Sequence, residues 1–179
     1  MKLLSKLIPL TFATALLLFA GNLKAQIVTA KTFGLSLGIE PGLPTTQQSN
    51  YTAFVLGGTI RFQYGIFDRL TATATTGGYH FFPATIPGTT TRYTSFGVGP
   101  VKAGLKGFVL PNEYISFEAG EGVEVTEQGF AGGQKKLLLS PGFGYADKHW
   151  DVGFHYESLS GDQNIYGIFA LRIAYGFKL

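Results

Sequence analysis

Cysteine is absent from this 179-residue chain. No disulfide, thiolate metal centre or lipid-modified cysteine can therefore be built from it. Charge is scarce as well, at 14% of residues. Residues 1–25 read as a secretory signal: Lys2 and Lys6 start it, Leu7 to Phe19 is mostly apolar, and Ala25 offers a cleavage site. That apolar stretch is interrupted by Pro9 and falls short of the ~20 residues a membrane helix needs. Past it, no apolar run is long enough for a spanning helix. An excess of positive charge is missing too. Lys2, Lys6 and Lys24 lie in the signal segment, so the 14 Lys+Arg of the full chain fall to 11, equal to the 11 Asp+Glu. A basic surface for nucleic acid is thereby excluded. The three histidines, His80, His149 and His155, are scattered without metal-ligand spacing.

What the chain has is glycine (25), phenylalanine (16), tyrosine (9) and a strict period of two. Phe33, Leu35, Leu37 and Ile39 alternate with Gly34, Ser36, Gly38 and Glu40. Phe54 to Tyr64, Leu70 to Thr75, Ile115 to Gly120, Leu137 to Tyr145 and Trp150 to Glu157 repeat the pattern. The clearest case is the end of the chain. Phe169, Leu171, Ile173, Tyr175, Phe177 and Leu179 face one way; Ala170, Arg172, Ala174, Gly176 and Lys178 face the other. A two-residue period with one large apolar face and one small or polar face predicts strands between two different environments. One strand is irregular. In Tyr93–Val109, Phe96 and Val98 share one parity while Val101, Ala103 and Leu105 share the other, which predicts a bulge at Pro100. Glu121 likewise falls on the apolar parity, pointing to an interface position or a second bulge.

About eight strands result. Their links alternate in length, short near 65–69, 110–113 and 146–149, longer near 41–52, 82–92, 126–136 and 158–164. A long apolar strand left unpaired would aggregate. Pairing the last strand with the first removes both edges and turns the apolar face to lipid. A soluble barrel alternates too, but its solvated wall should carry more charge than Gly, Ala, Ser and Thr. The predicted fold is therefore all-β, a transmembrane antiparallel up-and-down barrel, with 1–25 a signal peptide and 26–179 the barrel domain.

The turn Gln63-Tyr64-Gly65-Ile66-Phe67-Asp68-Arg69-Leu70 and the ending Ala174-Tyr175-Gly176-Phe177-Lys178-Leu179 resemble the small eight-stranded outer-membrane β-barrels of Gram-negative bacteria. Members of that family usually finish on an aromatic residue; here Phe177 precedes a final Leu179. The resemblance implies a location in the bacterial outer membrane, contact with outer-membrane lipid and insertion by the outer-membrane assembly machinery. It names no loop-binding partner and no single activity. A structural or interaction role is the first expectation, a narrow pore or small-solute channel the second, a lipid A-modifying hydrolase the third.

If the large apolar parity faces lipid, the opposite parity lines the lumen. It contains Arg61, Gln63, Glu118, Asp151, His155, Glu157, Arg172 and Lys178, which predicts a network of mutually neutralising charges. No cofactor or metal is expected. His155, Glu157 and Ser158 are the weak catalytic candidates. Barrel enzymes that deacylate lipid A place His and Ser two residues apart on one strand face, whereas Ser158 has the opposite parity to His155. The expectation is that His155 is structural.

Overall fold

The computed structural model describes residues 30–125, 134–161 and 165–178. Residues 1–29, which include the segment read as a signal, lie outside them, as do 126–133, 162–164 and Leu179. Eight strands form: β1 (Phe33–Thr45), β2 (Thr52–Phe67), β3 (Leu70–Pro83), β4 (Phe96–Phe108), β5 (Glu113–Val125), β6 (Lys135–Ala146), β7 (Trp150–Ser160) and β8 (Ile165–Lys178). Each pairs antiparallel with the next, and β8 returns to β1 through pairs such as Gly34↔Lys178 and Leu37↔Tyr175. The chain is thus an all-β, closed, up-and-down barrel with no free edge.

Alternation sorts the side chains. Leu37, Ile60, Phe62, Val101, Leu105, Ile115, Phe117, Phe143, Phe154 and Phe169 stand exposed on the wall. Ser36, Glu40, Arg61, Lys102, Lys106, Glu118, Glu157 and Arg172 are buried inside. This inverts a soluble protein, which rarely exposes a continuous apolar patch beyond a few hundred Å². At the short-turn end Phe33, Tyr64, Tyr145, Trp150, Tyr175 and Phe177 are exposed aromatics, and Trp150 packs edge-on against Tyr175. The turn between β6 and β7 is tight because Asp147 accepts the backbone N–H groups of His149 and Trp150, both at 2.8 Å.

Several boundaries differ from the sequence reading. β1 does not stop at Pro41 but runs through Pro41-Gly42-Leu43-Pro44 to Thr45, paired with β2 as far as Gly42 and with β8 from Gly42 to Thr45. β3 extends to Pro83, into the span expected to be loop. No bulge forms at Pro100: β4 keeps one register against β5 from Gly97↔Val125 to Phe108↔Tyr114. The ladder with β3 instead skips from Thr76↔Val101 to Tyr79↔Val98 without a shift. Similar skips occur at Pro41, between Ile39↔Ile173 and Gly42↔Ala170, and at Pro141, between Leu139↔Ser158 and Gly142↔His155. A proline removes one ladder donor, so pairing lapses beside it while alternation continues. Glu121 also needs no second bulge. It keeps register opposite Leu137, points outward, and lies 3.5 Å from Lys135 near the long-loop end.

Candidate functional site

The interior is layered along the barrel axis, and each layer follows from which inward positions the sequence fills. At the short-turn end Phe108, Tyr114 and Ala146 form a small apolar cluster. Beside it a cavity of about 40 Å³, bordered by Ser36, Gln63, Lys106, Asp147 and Asp151, is the polar mouth.

Above the mouth lies the first ionic layer. Lys106 Nζ is 2.7 Å from Asp151 and sits 3.8 Å over the Tyr114 ring, while the Tyr114 hydroxyl donates to Asp151 at 2.6 Å. Arg61 bridges upward, its guanidinium 3.8 Å from Asp151 and 2.9 Å from Glu118. Glu118 also accepts the hydroxyls of Thr73 and Thr75, each at 2.7 Å, and lies 3.5 Å from Lys102.

The second ionic layer is built around Glu40 and Glu157. Lys102 donates to Glu157, whose same oxygen accepts Ser140 and Tyr79 at 3.1 Å each. Tyr79 donates to Glu40 as well. Glu40 further accepts Thr59 at 2.6 Å and the Arg172 guanidinium, which also donates to Ser36 at 3.1 Å. His155 Nε2 sits between the two carboxylates, 3.3 Å from Glu40 and 3.2 Å from Glu157.

Four cations (Arg61, Lys102, Lys106, Arg172) thus face four carboxylates (Glu40, Glu118, Asp151, Glu157), all buried. Burying ions is tolerable only with such pairing. Above them the lumen closes on an apolar cluster of Val55, Phe81, Val98, Leu138, Leu159, Ile168 and Ala170, with Phe96 and Tyr166 packed against it. Phe81 stacks on Phe96 at 4.3 Å. This cap explains the irregular parity of the fourth strand: Phe96 and Val98 point inward because near the long-loop end the lumen is largely apolar, apart from buried Lys136, which pairs with Glu124 at 3.4 Å and lies 4.6 Å over the Tyr166 ring.

Of the residues picked from sequence, Arg61, Glu118, Asp151, His155, Glu157 and Arg172 meet in this network. Gln63 is half-buried at the mouth. Lys178 pairs through its backbone with Gly34, and its side chain lies outside the described set. The sequence selection passed over Glu40, Lys102, Lys106, Tyr79 and Tyr114. Glu40 already stood on the inward parity with Gly34, Ser36 and Gly38, and Lys102 and Lys106 lie on the parity opposite Ala103 and Leu105, so parity alone would have found the three charged ones. Ser158 lies on the other face of β7 from buried His155 and pairs with Leu139 and Gly167, so the two do not form a nucleophile–base pair.

Glu40, His155 and Glu157 could together present donors to a metal, since their atoms fall within 4.8 Å of one another. The surroundings argue against that use. Arg172 and Lys102 already neutralise the two carboxylates, and a divalent ion would add charge to a balanced interior. His155 Nε2, though 3.3 and 3.2 Å from the two carboxylates, makes no well-aligned hydrogen bond to either.

No protein-family model matches the chain, and no curated protein does. Solved structures do. The outer-membrane protein Ail of Yersinia pestis in a phospholipid bilayer nanodisc matches with a TM-score of 0.58 at 15% identity, covering 82% of this chain and 99% of that one. The crystal structure of Ail, the attachment invasion locus protein, matches with a TM-score of 0.54 at 14% identity, over the same shares of both chains. A de novo designed transmembrane β-barrel matches with a TM-score of 0.51 at 16% identity, covering 83% of this chain and 99% of that one. The chain therefore has the fold of the small eight-stranded outer-membrane β-barrels.

Proposed function

We propose that the protein is a closed outer-membrane barrel with a structural or interaction role, its lumen serving as a rigid core and its longer loops facing outward. The observation that carries this is the filled interior. Paired ions occupy its middle and the Phe81–Phe96 cluster seals one end. Conduction needs a continuous wet path with weak sites, and a neutralised, hydrogen-bonded network supplies neither.

The membrane setting is supported by the exposed apolar wall. It is supported too by the scarcity of charge on the outer wall: among the described strand residues only Glu113, Glu121 and Lys135 stand exposed there, and Glu121, opposite Val101, lies 3.5 Å from Lys135. Insertion by the outer-membrane assembly machinery and contact with outer-membrane lipid follow from that setting. Planar bilayer recording tests the reading. The purified protein should insert without discrete conductance steps, and steady unitary currents would replace the scaffold reading with the narrow-pore one. Before that, the protein should require detergent and should migrate differently on gels before and after boiling. Stable monodisperse protein without detergent would refute the membrane barrel itself.

A further inference from the structure

The barrel wall is not uniformly covered. Where β3 and β4 part beside Pro100, between Thr76↔Val101 and Tyr79↔Val98, a groove of about 580 Å³ opens. Its origin is local. A side chain at Gly77 would place a Cβ 2.1 Å from the Gly58 carbonyl oxygen, so only glycine lets β3 lie this close to β2. Gly78, exposed on the wall, has nothing within 4 Å of where its Cβ would stand. The floor of the groove is backbone from Gly78, Gly97 and Gly99, and through the gap it reaches Tyr79, Val98 and Glu124 on the lumen side. Toward the barrel centre the wall continues into exposed Ile60, Val101 and Leu105, with exposed Glu121 opposite Val101. Toward the loops it is rimmed by His80, Thr94 and Ser95, all exposed.

We propose that this groove holds one acyl chain of a membrane lipid, with the lipid's ester and headgroup region against His80, Thr94 and Ser95. The proposal rests on the membrane-barrel reading above. Three features select this occupant. The groove opens on the outer wall beside exposed Ile60, Val101 and Leu105, so within a membrane its contents come from the hydrocarbon. Its volume suits a flexible chain: at roughly 30 Å³ per methylene, about the share of a liquid water, it takes more than a dozen. Among its wall-facing residues, glycine backbone lies at depth and the hydrogen-bonding side chains of His80, Thr94 and Ser95 lie at the loop end, the order of groups along a lipid. Glu124, on the lumen side, is paired with Lys136 at 3.4 Å. An empty groove of this size in hydrocarbon would forfeit dispersion contacts along its length.

The test uses the detergent-purified barrel, mixed with dimyristoyl phosphatidylglycerol and read by native mass spectrometry for lipids retained per protein. Two wall substitutions enter open space, Gly78→Phe inside the groove and Gly107→Phe near the short-turn end, where a Cβ also meets nothing within 4 Å. Wild type and Gly107→Phe should retain one lipid. Gly78→Phe should lower that population at least tenfold. Equal retention in all three, or none in wild type, overturns the proposal. A protein dimer lost in Gly78→Phe would also overturn it and assign the groove to a second copy of the chain. Should Gly78→Phe fail to fold, Gly78→Cys can be folded first and then capped with a bulky maleimide, because the chain has no other cysteine. The boiling-dependent gel shift, recorded on each sample, separates the two readings. A shifting barrel without a groove lipid refutes this inference alone, whereas absence of the shift and of a detergent requirement refutes the membrane barrel.

Discussion

Glu118 stands where the two ionic layers meet, and replacing it by leucine tests the network most directly. The substitution removes three hydrogen bonds, from Arg61 at 2.9 Å and from Thr73 and Thr75 at 2.7 Å, and the charge 3.5 Å from Lys102. A hydrogen bond to a charged group is worth about 1.5–3 kcal/mol, but these share one carboxylate and do not add. The larger cost comes from what remains, because Arg61 and Lys102 are 5% and 3% exposed and cannot reach water. Breaking a buried pair costs about 3–5 kcal/mol. Asp151 and Glu157 still neutralise part of the excess, so the lower end, about 3 kcal/mol, is expected for Glu118→Leu. Adding Arg61→Met restores balance, leaving Lys102, Lys106 and Arg172 against Glu40, Asp151 and Glu157. Because an apolar replacement for a buried ion pair is often nearly neutral, the double variant should recover about 2 kcal/mol of the loss. Urea unfolding in lipid vesicles, followed through the single tryptophan, Trp150, with the gel shift as a second probe, measures both. A Glu118→Leu variant within about 1 kcal/mol of the parent, or a double variant no better than the worse single, would show that the network does not hold the barrel in the way argued here.

Leu171→Arg, on the wall, should cost about 2–4 kcal/mol in vesicle stability near mid-membrane. Ala170→Arg, which drives a cation into the apolar cap, should abolish the folded gel band; the reverse ranking would put the facing off by one residue. Phe81→Ala should lower stability by about 3–5 kcal/mol through the cavity left in the cap, seen as a lower urea midpoint, and an unchanged midpoint would mean the cap is not close-packed. His155→Ala and Ser158→Ala should each leave the lipid A acylation pattern of expressing cells unaltered by mass spectrometry. Loss of a deacylated species in either folded variant would move the hydrolase reading to first place.

Strand number, order and wall facing were legible because lipid-facing and lumen-facing positions differ in side-chain size at every second residue. Trp150 to Glu157 and Phe169 to Phe177 carry that signal almost without exception. The rule fails where the two environments stop differing. At Phe96 and Val98 the lumen is as apolar as the wall, so size no longer distinguishes in from out, and one unbroken strand reads as a bulged one. Prolines misled in a related way. Pro41 and Pro44 suggest a loop, yet a barrel strand tolerates the missing donor at the cost of a local lapse in pairing. Glu40, Lys102 and Lys106 were reachable by counting parity along their strands. Their partners were not, because alternation fixes a face and says nothing about which strand lies across the lumen.

The separation in sequence between those partners bears on how the barrel comes together. Arg172 lies 132 residues beyond Glu40 and 136 beyond Ser36. Arg61 and Glu118 are 57 residues apart, and Lys102 and Glu157 are 55. Among the buried pairs that lysine and arginine make with carboxylates, only Lys102–Glu118 and Lys136–Glu124 join neighbouring strands of one hairpin; the others wait for strands distant in sequence. A half-assembled sheet entering hydrocarbon would carry Glu40 without its guanidinium, and the final strand would carry Arg172 without its acid. Intermediates are thereby penalised by electrostatics as well as by open edges, while the complete cylinder is penalised by neither. The Arg172–Glu40 pair therefore joins the two ends of the chain alongside the β1–β8 ladder, and both are complete only when the cylinder closes.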